Sequence, residues 1–355
     1  MNKEVAPECE QDAATRTPGP PSRDRSTVVP LGPGQIQWRR ASVDDADAIH
    51  AVASGAGAID HPYFTVPAEE VSEDLAAIST GEGIGIVGAD ESGRIIAYAM
   101  VLPFSMDTSP VTALMLGAVS PDARRQGLGR RMVAWQRDQG FAWLSSLGDP
   151  APLRLLTYAD AGAVDTRALL HGEGFSSARE YLHLKRSTDT PLTATTPRGY
   201  TIEQFSDQHS EPVRRLRNTA FRDQWGAHDF DVDGWAQHVE RPVFDRTLSK
   251  VVLDESRQVV AYTLVEHSLD EHGSRTDSAA YLASLGVEET HRRRGLGAAL
   301  LGDLVASAAH QAIDSVTLDV DSASESRANE LYFRLGFETE HRRLSYVLER
   351  PATRA

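Results

Sequence analysis

The chain has 355 residues, of which 41% are hydrophobic, and this is enough to bury about two ordinary domain cores. Its formal net charge of −15 disfavours nonspecific nucleic-acid binding, because contact with phosphates requires an excess of lysine and arginine. No apolar run approaches the roughly 20 residues that a membrane span requires, so no membrane association is predicted.

The first segment, residues 1–34, is rich in proline, serine and charge and lacks the apolar centre of a secretory signal, so we predict a disordered leader. It contains Cys9, the single cysteine, which excludes an intrachain disulfide and a thiolate metal site. The twelve histidines show no ligand spacing, and no metal is predicted. These features predict a cytoplasmic protein.

Two domains follow in chain order. A strand at residues 36–40 and a helix that starts at Ser42 or Asp44 open a first domain over residues 35–186. Residues 187–199 (STDTPLTATTPRG) lack periodicity and are predicted to be a linker. A strand at 200–205 and a helical pattern after it open a second domain over residues 200–350.

The two domains carry one repeated motif. Residues 116–129 read LGAVSPDARRQGLG, and residues 284–297 read SLGVEETHRRRGLG. The flanks also match, since DESGRIIAY and DESRQVVAY precede the two copies, and a duplicated domain explains this best. Each copy ends in a Gly-Phe pair and a terminal strand, at 181–184 and 346–348, that we assign to its own half. Hairpin-like strands before the loop and a helix after it indicate an α/β (α+β) fold around a buried sheet.

The motif predicts an anion site. Its glycines let backbone N–H groups approach a ligand at the start of a helix, where the helix dipole and nearby arginines favour phosphate or pyrophosphate. A Walker loop ends in Gly-Lys-Ser/Thr and a dinucleotide loop needs three glycines, and neither copy has these features. An isolated copy fits an ordinary helix start with a basic turn better than an anion site, but the duplicated strand–loop–helix setting reverses this preference and favours the anion site.

Both halves resemble the GNAT superfamily of acetyl-CoA-dependent N-acetyltransferases, whose signature is Arg/Gln-x-x-Gly-x-Gly/Ala after a central strand. Residues 328–337 (ANELYFRLGF) also resemble the late motif of that family. The tandem arrangement is similar to that of the mycothiol-synthase-like group. The resemblance implies two tandem GNAT-like domains, each a mixed, partly antiparallel central sheet flanked by helices.

The resemblance further implies that the loop of the second half contacts acetyl-CoA, the co-substrate, and that the intact loop of the first half either binds acetyl-CoA as well or has a structural role. In the second half these residues are Leu285, Gly286, Val287, Arg292, Arg293, Arg294, Gly295, Leu296, Gly297 and Ala298. In the first half they are Gly117, Ala118, Val119, Arg124, Arg125, Gln126, Gly127, Leu128, Gly129 and Arg130. The amides of residues 292–298 would hold the pyrophosphate, and residues 285–287 would pair with pantetheine and direct an N–H at the thioester carbonyl.

Tyr332 is our candidate acid for the departing thiolate, since the resemblance implies a tyrosine near the CoA sulfur. The alternative is an aromatic side chain that only packs its helix on the sheet. The first half has Leu170 at this position, so we predict a degenerate first domain and catalysis in the second.

For the base, Glu266 is our candidate, with His267, Asp319 and Asp321 as alternatives. Each also fits a surface group at a strand end, and a water relay would need no dedicated base. The family often has asparagine where this chain has Glu325, so CoA contacts near that position are in doubt.

The sequence therefore predicts transfer of acetyl from acetyl-CoA to a primary amine of a small molecule by a monomer or homodimer. Trp225 and His228 either line the acceptor pocket or belong to a helix-end loop. The alternatives are a non-catalytic acyl-CoA-binding regulatory module and a protein N-acetyltransferase.

Overall fold

The structure is a computed structural model that describes residues 36–62, 66–105, 109–148, 150–222, 229–269, 275–323 and 328–352. These residues form two compact units: unit 1 comprises residues 36–179 and 343–352, and unit 2 comprises residues 180–342. The predicted leader and Cys9 lie outside the described residues. In the described part of the chain, no helix has the length and apolar character needed to cross a lipid bilayer.

Unit 1 alternates strands and helices. Its elements are β1 (Gln37–Arg40), α1 (Ala46–Asp60), α2 (Ala68–Thr80), β2 (Ile84–Ala89), β3 (Ile95–Ser105), β4 (Val111–Val119), α3 (Leu128–Ser146), β5 (Leu153–Asp160) and α4 (Val164–Gly172). Helix α2 ends at Gly81, whose φ of 91° is a left-handed conformation that glycine adopts without steric cost. The next strand, β6 (Ser176–Ser187), leaves unit 1 after Arg179.

Unit 2 repeats this order. Its elements are β7 (Thr201–Gln204), α5 (Asp207–Phe221), α6 (Val232–Glu240), β8 (Lys250–Leu253), β9 (Val259–Leu269), β10 (Arg275–Val287), α7 (Leu296–His310), β11 (Ser315–Asp321), α8 (Ala328–Arg334) and β12 (Glu338–Arg350). Helix α6 begins after Asp231, whose carboxylate accepts the N–H of Gly234 at 2.7 Å as an N-cap. Strand β12 leaves unit 2 after Arg342.

Each unit has a mixed sheet. In unit 1 the strand order is β1-β2-β3-β4-β5-β12, and the parallel pair is β4 with β5. In unit 2 the order is β7-β8-β9-β10-β11-β6, and the parallel pair is β10 with β11. The other pairs in both sheets are antiparallel, so the predicted fold class is confirmed.

The terminal strands differ from the prediction. Residues 181–187 of β6 pair with β11, and residues 343–350 of β12 pair with β5, so each half of the chain completes the sheet of the other unit. The preceding phenylalanines stay in their own units, since Phe175 packs in the unit 1 core and Phe337 in the unit 2 core. Alternating apolar residues predict a strand and its buried face, but they do not select the strand that it pairs with.

The predicted linker is packed against unit 2. The Thr188 hydroxyl donates to the carbonyl oxygen of Ile313 at 2.6 Å, and Leu192 contacts the hydrophobic core. Ala194 lies so close to Gly302 of α7 that a Cβ on that glycine would be 2.9 Å from the Ala194 methyl. Residues 187–199 therefore form an ordered part of unit 2 rather than a spacer between the units.

Candidate functional site

The two glycine loops share one backbone conformation. Arg125 and Gly127 have φ values of 66° and 78°, and Arg293 and Gly295 have values of 60° and 88°. Left-handed residues that alternate with ordinary ones turn successive N–H groups toward one point, which is the geometry of an anion-binding nest. Glycine is the N-cap of both following helices, so no cap side chain occupies the first-turn amides.

In unit 1 the loop arginines are paired with acids. Arg124 donates to both carboxylate oxygens of Asp60, at 2.9 and 2.8 Å, and its Nε donates to the carbonyl oxygen of Val119. Arg125 donates to Asp165 at 2.5 Å. A bidentate carboxylate competes directly with phosphate for a guanidinium group.

In unit 2, Arg292, the counterpart of Arg124, and Arg294, the counterpart of Gln126, contact neutral oxygens. Nε of Arg292 donates to the carbonyl oxygen of Val287 at 3.1 Å, and Arg294 donates to the Tyr200 hydroxyl at 3.0 Å. Within the described part of the chain, no carboxylate forms an ion pair with residues 292–294. The three guanidinium groups at residues 292–294 therefore carry positive charge that no described carboxylate neutralises.

The strand before the loop has one open edge. Residues 279–281 of β10 pair in parallel with residues 315–317 of β11, and both strands continue beyond the last pair, Tyr281 with Thr317. On the other side β10 stays paired with β9 as far as Val287. Backbone groups of the segment from 282 to 287 that point away from β9 therefore face a gap between diverging strands.

Gly286 lies in this segment of β10, at a position where a side chain does not fit. A Cβ at Gly286 would lie 2.8 Å from Cζ and 2.9 Å from the hydroxyl oxygen of Tyr262, which is fully buried and hydrogen-bonded to Ser284. The ring of Tyr262 thus covers the backbone immediately before Val287.

We expect Gly286→Ala to destabilise the protein by about 1–3 kcal/mol, because the methyl group overpacks the Tyr262 ring. Thermal unfolding should show this as a melting temperature lowered by several degrees. Gly55→Ala is the control, since a Cβ there is 4.0 Å from its nearest neighbour and replaces a helical glycine. An unchanged melting temperature for G286A would contradict the close packing at this position.

Tyr332 lies on α8 and is buried in the core of unit 2. Its ring meets that of Phe337 edge-on, with the centroids 5.6 Å apart. Burial raises the pKa of the Tyr332 phenol to about 12, so the hydroxyl stays protonated and able to donate at neutral pH.

Helix α4 in unit 1 and helix α8 in unit 2 pack on the glycine loops of their units in the same way. A Cβ at Gly297 would lie 3.2 Å from Cδ2 of Leu331, and a Cβ at Gly129 would lie 3.2 Å from Cδ2 of Leu169. The next residue of each helix is Tyr332 in unit 2 and the buried Leu170 in unit 1. Unit 1 therefore has no hydroxyl group where unit 2 has one.

The adjacent base candidates Glu266 and His267 have different surroundings. The carboxylate of Glu266 is buried, with Nη1 of Arg241 at 3.6 Å, and its cross-strand neighbour is Tyr281. Nε2 of His267 lies 3.2 Å from the buried carboxylate of Asp245. Neither is the surface group at a strand end that the sequence allowed.

The two aspartates of β11 also have different surroundings. Asp321 is buried and accepts the N–H of Ala323 at 2.9 Å, which is a role in the following turn. Asp319 accepts a hydrogen bond from the Tyr281 hydroxyl at 3.2 Å and lies 3.1 Å from Nδ1 of His183. Trp225, His228 and Glu325 lie outside the described residues.

His183 is a candidate that sequence reasoning missed. It is 136 residues from Asp319 along the chain, and only the pairing of β6 with β11 brings the two together. The same arrangement gathers His183, Glu340 and His341, whose potential ligand atoms lie within 4.8 Å of one another. The sequence showed no metal-ligand spacing because these groups come from strands distant in the chain.

Comparison with known proteins agrees with this geometry. The model of the Acetyltransferase (GNAT) family matches residues 57–147 and 210–337. The chain is 26% identical over 325 residues to the mycothiol acetyltransferase of Mycolicibacterium gilvum, covering 89% of this chain and 99% of the relative. It is 28% identical to that of Frankia casuarinae, covering 75% of each chain.

Solved structures with a similar fold include a GCN5-related N-acetyltransferase from Sphaerobacter thermophilus, with 24% identity, a TM-score of 0.70 and coverage of 91% of this chain and 98% of that one. A tandem GNAT protein from the clavulanic acid biosynthesis pathway has 17% identity, a TM-score of 0.64 and coverage of 90% and 99%. The duplicated loops, the mixed sheets and the two matched segments lead to one conclusion. The chain belongs to the acetyltransferase (GNAT) family and is an N-acetyltransferase.

Proposed function

We propose that unit 2 transfers the acetyl group of acetyl-CoA to a primary amine of a small molecule. The observation that carries this proposal is the loop at residues 292–297, which combines a backbone nest with three arginines that form no ion pair with a carboxylate of the described residues. A diphosphate offers the negative charge and the acceptor oxygens that this donor set requires.

The residues of this loop fit CoA better than those of unit 1. Asp60 already holds Arg124 in a partly buried bidentate pair, and a phosphate would have to displace this carboxylate. The pair of Arg125 with Asp165 is exposed and adds little to this difference. We therefore assign the productive acetyl-CoA site to unit 2 and a weaker or structural role to the loop of unit 1.

Three groups of unit 2 would then perform the transfer. Backbone N–H groups of residues 285–287 that face the gap would stabilise the negative charge that develops on the thioester oxygen. The protonated hydroxyl of Tyr332 would donate to the sulfur as the C–S bond breaks. The carboxylate of Glu266 would attract the ammonium group of the acceptor and take its proton.

The acceptor class follows from charge and from the relatives. A buried carboxylate at the reaction site favours a cationic substrate, as a primary ammonium is at neutral pH. Since the relatives are mycothiol acetyltransferases, an amine related to mycothiol is the first acceptor to test.

Calorimetry with a matched pair of variants tests the assignment of the site. We expect Arg293→Ala to weaken acetyl-CoA binding roughly tenfold to hundredfold, because it removes a charged hydrogen-bond donor. Arg125→Ala, at the same position in unit 1, should leave the affinity nearly unchanged. The opposite result would move the site to unit 1.

Release of CoA in the presence of a panel of amines tests the reaction itself. Cys9→Ser should be used as the parent protein, since the single cysteine would otherwise react with a thiol reagent. Tight binding of acetyl-CoA without release across the panel would contradict the transferase proposal and favour a regulatory CoA-binding protein. Transfer to peptides but not to small amines would favour a protein N-acetyltransferase.

A further inference from the structure

A row of polar side chains crosses one face of the unit 2 sheet. Glu266 on β9 is paired with Tyr281 on β10, and Asp319 on β11 is paired with His183 on β6. Directly paired residues project from the same face of a sheet. Glu340, on the unit 2 part of β12, lies next to His183 at the end of the row.

Glu266 and Tyr281 are neighbours across the strand pair, and short side-chain distances connect Tyr281 with the other three members of the row. The Tyr281 hydroxyl donates to Oδ2 of Asp319 at 3.2 Å, and Oδ1 of Asp319 lies 3.1 Å from Nδ1 of His183. Nε2 of His183 then lies 3.8 Å from Oε2 of Glu340, a gap that a small side-chain rotation or one water molecule closes. The three groups inside the row, the Tyr281 hydroxyl, the Asp319 carboxylate and the His183 imidazole, can each accept a proton from one neighbour and release one to the other.

The exposure of the row increases in one direction. The side chain of Glu266 is 4% exposed, those of Asp319 and His183 are each 16% exposed, and that of Glu340 is 33% exposed. One end is therefore inside the protein and the other meets solvent. Asp319 marks the place where β10 and β11 diverge, because the last parallel pair joins Tyr281 and Thr317, two residues before it on β11.

Acetylation of an amine releases a proton that must leave the site. A primary ammonium has a pKa near that of lysine, about 10.4, so nearly all of the acceptor is protonated at neutral pH. Glu266, buried in the protein, cannot serve the next turnover until it has lost the proton it receives.

We propose that the row formed by Glu266, Tyr281, Asp319, His183 and Glu340 carries the proton of the acceptor amine from the reaction site to solvent. This inference rests on the function proposed for unit 2. In this proposal, strand β6 has a functional role besides completing the unit 2 sheet, because it brings His183 from the first half of the chain to a site where the second half needs it for turnover. His183 is a positioning residue of this path and does not itself contact the reacting atoms.

The protons balance along the path. The ammonium gives one proton to Glu266, and the free amine forms the C–N bond as the C–S bond breaks. Tyr332 gives its proton to the sulfur and recovers one from the same nitrogen, so that the second proton of the amine ends in the thiol of CoA. Glu266 passes its proton through the Tyr281 hydroxyl to Asp319, which protonates Nδ1 of His183 while Nε2 releases its proton to Glu340 or to water.

The same residues do not favour a metal site. The rings of His183 and His341 are stacked with centroids 4.3 Å apart and planes within 17°, so their in-plane lone pairs lie in two separate, nearly parallel planes and do not converge on one ion. Glu340 already has a cationic partner, since Nζ of Lys185 lies 3.2 Å from its Oε1.

Kinetics of His183→Ala at saturating acetyl-CoA test the proposal. We expect kcat to fall about a hundredfold, the lower end of the range for groups that move protons in enzymes. Affinity for acetyl-CoA, measured by calorimetry, should stay unchanged because the glycine loop is intact. Imidazole buffer should restore part of kcat, whereas sodium chloride at equal ionic strength should not, since only a proton carrier replaces the missing side chain.

His310→Gln is the control, because His310 is exposed at the end of α7. A folded H183A protein with the kcat of the parent, or a loss of kcat that imidazole does not restore, would overturn the proposal. Loss of parent activity after chelation, with recovery on addition of zinc, would overturn it in favour of a metal site. Failure of the parent itself to release CoA with any amine would instead refute the proposed function.

Discussion

Gly295→Val is expected to weaken acetyl-CoA binding roughly tenfold to hundredfold, with little activity left at moderate acetyl-CoA concentrations. Gly295 has a φ of 88°, a left-handed conformation that a β-branched residue avoids. Valine would force this residue toward an ordinary φ and turn the amides of the nest away from one another. Calorimetry and the KM for acetyl-CoA measure the effect.

Gly127→Val is the matched control for this experiment. Gly127 occupies the same position in the loop of unit 1, with a φ of 78°, so a valine there introduces the same backbone strain. Both variants should lose similar thermal stability, but only G295V should lose affinity. Equal losses of affinity in the two variants would show that the assignment of acetyl-CoA to unit 2 is wrong.

Tyr332→Phe is expected to lower kcat about a hundredfold while the KM for acetyl-CoA changes little. The variant removes one hydrogen-bond donor from the place where charge develops on sulfur, and loss of such a donor costs about this much. The ring remains, so its contact with Phe337 and the core packing should persist. Steady-state kinetics at saturating amine measure the loss.

The pH dependence gives a second measurement of the same role. Burial raises the pKa of Tyr332 to about 12, and the donor form is the protonated phenol. Raising the pH should therefore not deprotonate Tyr332 within the range in which the protein can be assayed, and this residue should add no basic limb to the kcat profile. Tyr346→Phe, in the core of unit 1, is the control and should leave kcat unchanged.

An unchanged kcat in Y332F would support the simpler interpretation of Tyr332 as a packing residue. The structure gives weight to both interpretations, because the side chain is part of the hydrophobic core and also follows Leu331, which packs on the second glycine of the loop. The kinetic experiment separates these roles, since phenylalanine retains the packing and loses only the hydroxyl.

Local sequence patterns predicted much of the fold. The two loops have the left-handed glycines and the strand-to-helix transition expected of an anion nest, because glycine spacing and helix-start signals act over a few residues. Alternation in residues 181–184 and 346–348 predicted strands that the structure contains. These features depend on neighbouring residues, and the amino-acid order contains that information directly.

The tertiary structure alone decided which distant groups meet. The sequence could not show that Asp60 pairs with Arg124, whereas Arg292, the matching arginine of unit 2, has no acidic partner among the described residues. The sequence-based prediction also assigned β6 to the sheet of its own half. The alternation of apolar residues in a terminal strand is the same whichever sheet the strand joins.

By itself, the sequence determined the duplicated fold, the two glycine loops and the family resemblance, since each rests on spacing along the chain. The exchange of β6 and β12 between the two sheets decided which distant side chains lie together. It brought His183 to Asp319 across 136 residues and made a polar row on the unit 2 sheet. Strand pairing depends on the free energy of the whole core, and no short segment of sequence contains that sum.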